Sequence, residues 1–584
     1  MVSHLMGRVL PSTPLLGCEM DERELIHPSA CCAWCGATGT YVARTDAIEA
    51  CVLDLAGPMQ KLHMPRRCCR PSCPSKRARQ WHNFKAEGGK HTFVGPLSDL
   101  RCLMINTKFG VTLAFLEQLH SRMLREHVSF AGEADVAKAT ARLLGRGDLL
   151  PARLRLYLSE AWFFWRLVTR LCEVEQGAAG IARSAEVDFS QSVETALRGT
   201  YATVEKHFEQ STVSKVTAAG LRTDVQVIDG NAKNRRSVCA ALLRHKIACP
   251  RLQRSVRVNC PCTPMLGSKV CYAHAAAAAN VGAETDYEIV GHEALGAIGL
   301  ASEGPLRLKI RNACEEGQEL WVNEDLVHPG LVAAYFKQVG EDRLACLAER
   351  KMRRIQSRKT WTQAVGRAMG SSAADDWAAM DEAERLALMP DRSSVEDLNA
   401  VGCGTHKETE QAIRDLAKTA GVLCACLSSG IVVAMREIYG CESLSQRYLF
   451  VSVLRNAYPD LKIIAHDDAC HLHKFTEARS SLSVFAATLA PPTLMYACDG
   501  FHMAGHVDAW CLAQCSPQAP HFRDSLEGVR TSVCEFTFTW FSQYKHQTKH
   551  MSEFGFKFFL LEMISAHNEE IFVGRQHHLT FRRS

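Results

Sequence analysis

The stretch LKIIAHDDACHLHKF, residues 461–475, joins an apolar run to two carboxylates and then to several potential metal ligands. The apolar residues within 461–464 predict a short buried strand that ends at Asp467 and Asp468. An acid at the carboxyl end of a strand can face a cleft while the strand stays in the core, which suits a metal-dependent phosphoryl-transfer site. An aspartate in this position also commonly caps the next helix, so the rest of the chain must decide between these roles.

The composition is that of a globular protein with several domains: 584 residues, 47% of them hydrophobic and 22% charged. The formal charge of +5 is small for this length, so a nucleic-acid surface would have to come from local basic patches. No apolar run approaches the roughly 18 to 20 residues of a membrane helix, and we expect a soluble, intracellular protein without a membrane partner. The basic segment RKMRRIQSRK, residues 350–359, fits a nuclear import signal or a solvated helix face.

The chain contains 26 cysteines, and its first residues lack the apolar core of a secretion signal. We therefore expect free thiols and zinc sites, not disulfides. The CxxC pair Cys32 and Cys35, together with Cys69 and either Cys73 or Cys68, would form a four-thiolate site. The basic residues near the second pair would contact DNA phosphates or form the solvated rim of a purely structural zinc module: Arg66, Arg67, Arg70, Lys76, Arg77 and Arg79.

The segment DVQVIDGN, residues 224–231, alternates as a strand does and carries Asp229 near its end. We expect a second strand over 237–243 to complete a hairpin. An Asp-Gly pair is also a common turn signal by itself. The basic residues that follow closely are expected to contact DNA: Lys233, Arg235 and Arg236.

Two further segments suggest zinc. Residues 259–274, NCPCTPMLGSKVCYAH, offer a tetrahedral set of zinc ligands that would stabilise a loop: Cys260, Cys262, Cys271 and His274. Cys249 could replace one of the first pair, Cys260 and Cys262. The sequence predicts strands in 421–434 and 492–499, with an amphipathic helix between them. A second set of zinc ligands follows the last of these strands: His502, His506, Cys511 and Cys515. Four further residues are near enough in sequence to compete as ligands: Cys470, His471, His473 and Cys498. The alternative is that the histidines bind no metal and are only buried or solvated.

The segment TSVCEFTFTWFSQYKHQTKHM, residues 531–551, predicts the start of a long helix. Ser532 and Glu535 fit a capping box, which would make Glu535 structural. If the helix persists, Glu535 heads a polar and basic stripe with Ser542, His546 and Lys549. A carboxylate in that place suits a metal site with DNA along the helix, where Lys545, His546 and Lys549 would contact it.

Together, the predicted order is a strand ending in Asp, a hairpin, a strand, a helix, a strand ending in Asp and a helix carrying Glu. This is the order of ribonuclease H-like nucleotidyl transferases. Several segments resemble the Kyakuja-Dileera-Zisupton (KDZ) transposases of eukaryotes: DGN at Asp229, SGIVV at Gly430, YGCESLSQ at Tyr439, HDDACHLHKF at His466, GFHMAGH at Gly500, SVCEFTFTWFSQYKHQTKHM and FFLLEMISAHN. The resemblance covers most of the chain and is looser in the N-terminal cysteine region.

The resemblance implies a DDE transposase with catalytic acids Asp229, Asp467 and Glu535, and with Asp468 as an alternative. It implies Mg²⁺ or Mn²⁺ at these acids, separate structural Zn²⁺, DNA (transposon ends and target) as partner, a homo-oligomer and a nuclear location. A catalytically silent, transposon-derived DNA- or chromatin-binding protein is the alternative. A ribonuclease H-like nuclease acting on RNA-containing substrates is a weaker one.

The implied fold class is α/β, with a ribonuclease H-like mixed sheet flanked by helices. We expect five segments: a cysteine-rich zinc module over 1–90, a helical region over 91–215 with aromatic residues 162–165 in its core, the first part of the catalytic domain over 216–245, an insertion with a zinc loop over 246–415, and the second part with a His/Cys zinc site over 416–584.

Overall fold

The structure is a computed structural model that describes residues 48–58, 62–64, 79–80, 83–87, 90–93, 100–179, 187–239, 245–252, 254–258, 260–264, 271, 287–294, 306–312, 319–323, 329–340, 345, 348–349, 395–405 and 418–574. The predictions at Cys32, Cys35, Cys68, Cys69, Cys73, Arg66, Arg67, Arg70, Lys76, Arg77 and His274, and at the side chains of Arg79 and Cys249, lie outside this part of the chain. The chain divides into two compact units, Met1–Thr212 with Phe554–Arg582, and Val213–Glu553.

The strands are β1 (Ile48–Asp54), β2 (Gly57–Pro58), β3 (Leu62–Met64), β4 (Arg79–Gln80), β5 (Phe84–Glu87), β6 (Lys90–Phe93), β7 (Cys102–Met104), β8 (Phe109–Thr112), β9 (Val225–Asn231), β10 (His245–Cys249), β11 (Arg254–Val258), β12 (Tyr287–Ala294), β13 (Leu306–Asn312), β14 (Glu319–Asn323), β15 (Gly421–Cys426), β16 (Val432–Ile438), β17 (Ile463–His466) and β18 (Met495–Cys498). The helices are α1 (Leu113–Glu126), α2 (Phe130–Leu143), α3 (Leu154–Ala179), α4 (Val193–Ala218), α5 (Pro329–Gln338), α6 (Val395–Asn399), α7 (Leu444–Ala457), α8 (Ala469–Glu477), α9 (Val484–Ala487), α10 (Ala509–Gln514), α11 (Pro520–Arg523), α12 (Val533–Phe541), α13 (Lys545–Thr548) and α14 (Glu553–Phe572). No helix in the described ranges is both long and apolar enough to cross a bilayer.

The first unit combines a small sheet with long helices. Its strands run in the order β2-β1-β8-β7, β3 also pairs with β1, and β4, β5 and β6 form a separate sheet. Helices α1 and α2 begin where Thr112 and Ser129 accept hydrogen bonds from backbone N–H groups of the first turn, which satisfies donors that have no partner within the helix. The aromatic side chains of residues 162–165 are all buried, as the sequence predicts.

The second unit is built on a five-stranded sheet with the order β16-β15-β9-β17-β18. β15 is antiparallel to both β16 and β9, whereas β17 is parallel to both of its neighbours, β9 and β18. Nearly every residue of these strands is buried, which explains their continuous apolar runs. The strands predicted within 421–434 and 492–499 are confirmed as β15, β16 and β18.

The partner of β9 differs from the expected hairpin. Residues 237–239 lie outside any strand, and Ser237 forms only an isolated bridge with Lys418. β15, which follows almost two hundred residues later, pairs with β9 instead. The close approach needs Gly421, because an ideal Cβ there would lie 2.2 Å from the Asn231 carbonyl oxygen and its φ is +129°. A local turn signal therefore did not identify the strand's true partner.

Helix α7 packs its predicted apolar face into the core, with Leu444, Tyr448, Val451 and Leu454 all fully buried. Ser443 caps its first turn. The segment between β9 and β15 contributes the hairpin β10–β11 and the sheet β12-β13-β14.

Candidate active site and metal centres

Asp229 lies on β9, and Asp467 directly follows the neighbouring parallel strand β17. Val227 of β9 pairs with Ala465 of β17, so two further residues along each strand bring the two aspartates level at the carboxyl edge. Asp229 is 7% exposed and the side chain of Asp467 is 10% exposed. Each accepts a hydrogen bond at Oδ1 from the N–H of the residue that follows it. The register therefore places both carboxylates at the same edge of the sheet, where each is only slightly exposed.

His466 lies between these acids. Its Nδ1 donates to the Ile228 carbonyl oxygen at 2.9 Å and lies 3.0 Å from Asp467 Oδ1, and its Nε2 lies 2.8 Å from Asp468 Oδ1. Burial opposes its protonation, but Asp467 and Asp468 outweigh that effect and raise the pKa of His466 to about 9. Arg447 Nη1 lies 2.7 Å from Nε2 and opposes protonation as burial does, and the ring links β17 to β9 through the Ile228 carbonyl oxygen.

Asp468 has a structural environment. It begins α8 without making a side-chain capping hydrogen bond, is completely buried and forms an ion pair with the equally buried Arg447. Although burial disfavours its ionised form, Arg447 and His466 hold the pKa of Asp468 well below its ordinary value. The helix-cap role is thus not what Asp468 does, and its buried pairing distinguishes it from Asp467.

Glu442 is an acid at this edge that the sequence analysis missed. One ligand atom each from Asp229, Glu442 and His466 lie within 4.8 Å of one another. Glu442 follows β16 and precedes the capping residue of α7. Gly230 makes room for it, since an ideal Cβ at that position would lie 2.0 Å from Glu442 Oε2. Its position between a predicted strand and a helix, in the YGCESLSQ segment, was the sequence feature that could have identified Glu442 as a candidate site residue.

Glu535 lies beside His502. Among the described residues, neither group of acidic and imidazole side chains within 4.8 Å contains it. Its Oε1 is 3.7 Å from His502 Nε2, and His502 Nδ1 is 2.8 Å from Asp499 Oδ2. Its side chain is 48% exposed. Ser532 makes no side-chain capping hydrogen bond, so the expected capping box does not form through that serine.

The basic residues predicted to contact DNA fall into two classes. Arg236 is buried and pairs with both oxygens of Glu437, so the prediction for it is wrong, and Arg235 donates to the Thr419 carbonyl oxygen. The remaining described members are exposed: Lys233, Lys545, His546 and Lys549. The helical stripe continues beyond α12 through a 3₁₀ turn into α13, although Ser542 is buried in it.

A buried thiol and imidazole cluster lies behind Asp467. It consists of Cys403, Cys470, Cys511 and His506, hereafter the Cys₃His group, whose ligand atoms all lie within 4.8 Å of one another. His506 Nδ1 is 3.1 Å from Cys511 Sγ, 3.3 Å from Cys403 Sγ and 3.6 Å from Cys470 Sγ. A tetrahedral zinc ion with bonds of about 2.0–2.3 Å separates its ligands by about 3.5–3.8 Å. The soft donors and their spacing fit zinc.

This group differs from the set His502, His506, Cys511 and Cys515. His502 faces Asp499, and Cys515 Sγ lies 3.8 Å from His473 Nδ1. Cys470 was foreseen as a competitor, whereas Cys403 was missed because it is 103 residues from His506. Cys498 lies next to the group, 3.7 Å from His506 Nδ1 and 3.9 Å from Cys511 Sγ.

A second thiol group contains Cys239, Cys260 and Cys271, which are buried with ligand atoms within 4.8 Å. Cys262 packs against them, and its hydrogen bonds with Cys260 and Cys271 raise its pKa. The predicted loop thiols therefore do converge, and Cys239 is the added member. Four thiols in this arrangement fit a structural zinc site.

Residues 316–568 match the Kyakuja-Dileera-Zisupton (KDZ) transposase family. This region is therefore similar to the KDZ transposases. No curated protein and no solved structure matches the chain.

The KDZ region contains Glu442, Asp467, Glu535 and the whole Cys₃His group, whereas Asp229 precedes it. The sheet therefore joins a strand from outside the KDZ match to strands within it. β9 brings Asp229 to the same edge as Asp467 because it pairs with both β15 and β17.

Proposed function

We propose that this protein is a DDE-type transposase that cleaves DNA strands and transfers them by in-line phosphoryl transfer. The observation that carries the proposal is the parallel pairing of β9, which contains Asp229, with β17, which Asp467 follows directly. Support also comes from the chain order, three strands in an antiparallel meander, a helix and then a parallel strand, which is that of a ribonuclease H-like domain.

The acidic edge, where Asp229 and Asp467 lie at the carboxyl ends of β9 and β17, fits a hard divalent cation. Carboxylate oxygens are the protein ligands that Mg²⁺ prefers, and substrate phosphates complete its coordination. Asp229 and Asp467 would hold Mg²⁺ or Mn²⁺, with Glu535 as the third acid. When bound, a pair of such ions about 3.5–4 Å apart activates the attacking oxygen and stabilises the leaving oxygen.

The chain's own residues orient this site. Backbone N–H groups fix one oxygen of each aspartate, and His466 Nδ1, 3.0 Å from Asp467 Oδ1, restrains that carboxylate further. Exposed Lys233, Lys545 and Lys549 would bind DNA phosphates, a contribution that weakens as salt rises. Joining two transposon ends to a target would require a homo-oligomer, and we propose that it acts in the nucleus.

The test is a strand-cleavage assay on nicked or hairpin DNA with Mg²⁺ or Mn²⁺. We expect Asp229→Asn, Asp467→Asn and Glu535→Gln each to abolish cleavage while DNA binding persists, because the exposed lysines proposed to bind phosphates are unchanged. Glu527→Gln, at an exposed acid of the same unit, is the matched control and should cleave as the wild type does.

The second candidate is a catalytically silent, transposon-derived DNA- or chromatin-binding protein. It is favoured by one observation, that Glu535 lies outside the close acidic groups. Wild-type protein that binds DNA but cleaves no substrate with either metal would support it. Cleavage that persists in Glu535→Gln but is lost in Asp467→Asn would instead remove Glu535 from the catalytic set.

A further inference from the structure

His506 contacts the thiol cluster and the acidic edge with different ring nitrogens. Its Nδ1 faces Cys403, Cys470 and Cys511, whereas its Nε2 lies 2.6 Å from the backbone carbonyl oxygen of Asp467. A carbonyl oxygen only accepts, so Nε2 carries the proton and donates it to this hydrogen bond. In the neutral imidazole, Nδ1 is then the unprotonated nitrogen, which is the form that binds a metal.

Cys470 forms a second connection between the cluster and the acid. It lies three residues after Asp467, in the first turn of α8. A metal ion bound to Cys470 and His506 would therefore restrain Asp467 in two ways. Cys470 is connected to it through the backbone, and His506 is hydrogen-bonded to its carbonyl oxygen. These two restraints reach the segment from different elements of the fold.

The loop that supplies Cys403 lies close to the start of α10. An ideal Cβ at Gly402 would lie 2.5 Å from Asp508 Oδ2, so any larger residue there would displace the side chain that caps α10. The side chain of Asp508 in turn accepts a hydrogen bond from the Cys511 N–H. Thr405 donates to Cys403 Sγ at 3.6 Å, which would stabilise the thiolate form needed for metal binding.

We propose that a zinc ion bound by Cys403, Cys470, Cys511 and Nδ1 of His506 holds Asp467 in position through the Nε2 hydrogen bond of His506. The zinc site is closed by four protein ligands, so its role is structural, and His506 is a positioning residue. Only the assignment of Asp467 as a ligand of the catalytic Mg²⁺ rests on the proposed function. The mechanical link itself does not.

His506→Cys separates the two roles of the histidine, because a thiolate can replace Nδ1 as a zinc ligand but cannot donate to the Asp467 carbonyl. We expect it to keep the zinc content of the wild type, measured by elemental analysis. Amide hydrogen exchange over residues 463–470 should become faster, and Mn²⁺ affinity at the acidic edge should fall by about tenfold or more, as for other residues that orient metal ligands. Cys403→His is the matched control, since it also exchanges one ligand type but keeps the His506 link, and it should retain wild-type exchange and Mn²⁺ affinity.

Unchanged exchange over 463–470 and unchanged Mn²⁺ affinity in zinc-loaded His506→Cys would overturn the proposal. If that variant does not retain zinc, the wild type is compared before and after zinc removal with a chelator. Exchange that accelerates more over 463–470 than over β9 and β15, with α3 of the first unit unchanged, supports the link, and an equal or smaller acceleration over 463–470 overturns it. If the wild type binds Mn²⁺ no better than Asp229→Asn does, the proposed function is contradicted. The exchange result would still test the link between His506 and Asp467, because it does not depend on Mn²⁺ binding.

Discussion

At the residue scale, the two adjacent aspartates of the HDDAC segment have different environments. Asp467 keeps some exposure at the strand edge, whereas Asp468 is enclosed with Arg447 and His466. A buried ion pair contributes little net stability when intact, but removing one partner leaves an uncompensated charge in the core. The structure therefore assigns Asp468 to the fold and leaves Asp467 available for chemistry.

Asp468→Asn should lower the free energy of unfolding by about 3–5 kcal/mol, because Arg447 would remain buried without its carboxylate partner. Asp467→Asn should change it much less, since its side chain reaches solvent. Chemical denaturation of both variants near neutral pH checks this. Equal losses of stability would contradict the division of roles.

The thiols Cys511 and Cys515 also separate at this scale. Cys511→Ser should remove zinc from the Cys₃His group, because serine is a poor zinc ligand, whereas Cys515→Ser should keep it. The measurement is zinc per chain by elemental analysis after dialysis. A loss of zinc in Cys515→Ser would return that cysteine to the ligand set.

At the element scale, ion pairs join helices α3 and α14 of the first unit. Glu562 on α14 is fully buried and accepts from Arg166 and Arg170 on α3, at 2.6 Å in each case. Burial raises its pKa, but the two guanidinium groups outweigh this and lower the pKa of Glu562 to about 2. The carboxylate thus favours the folded state wherever it is ionised.

Glu562→Gln should lower the free energy of unfolding at neutral pH by about 3–5 kcal/mol, since two partly buried arginines lose the buried carboxylate that they share. Because the folded pKa lies below the ordinary 4.5, the wild-type advantage is complete above that pH and is lost as pH falls through about 2. Denaturant unfolding at several pH values checks this. Glu173→Gln, at a more exposed partner of Arg170, is the control and should cost less than about 1 kcal/mol.

At the scale of the whole molecule, both described thiol groups belong to the second unit and connect distant segments of it. Metal bound by such segments stabilises the folded state directly, because the unfolded chain offers no formed site. Zinc removal should therefore speed hydrogen exchange in β9, β15 and β17 and leave α3 of the first unit unchanged. Reconstitution with zinc should reverse the effect, and equal exchange in the two forms would contradict it.

Much of the second unit could be predicted from sequence because its signals are local. Apolar runs identified β15 to β18, and helical periodicity identified the buried face of α7. The pairing of β9 with β15 could not be predicted, since a strand's hydrogen bonds do not specify how far along the chain the partner lies. A long intervening segment adds only slowly to the entropic cost of loop closure, so nearness in sequence was a poor guide.

The sequence by itself determined which reactive side chains are present: acids at or near strand ends, soft zinc ligands, and the motifs that resemble KDZ transposases. Tertiary structure alone decided which of these side chains meet. It brought Glu442 to Asp229, enclosed Asp468 with Arg447, and exchanged His502 and Cys515 for Cys403 and Cys470 around His506. The physical reason is that spacing along the chain restricts neighbours only within one helix or strand, whereas ligand geometry depends on where separate elements pack.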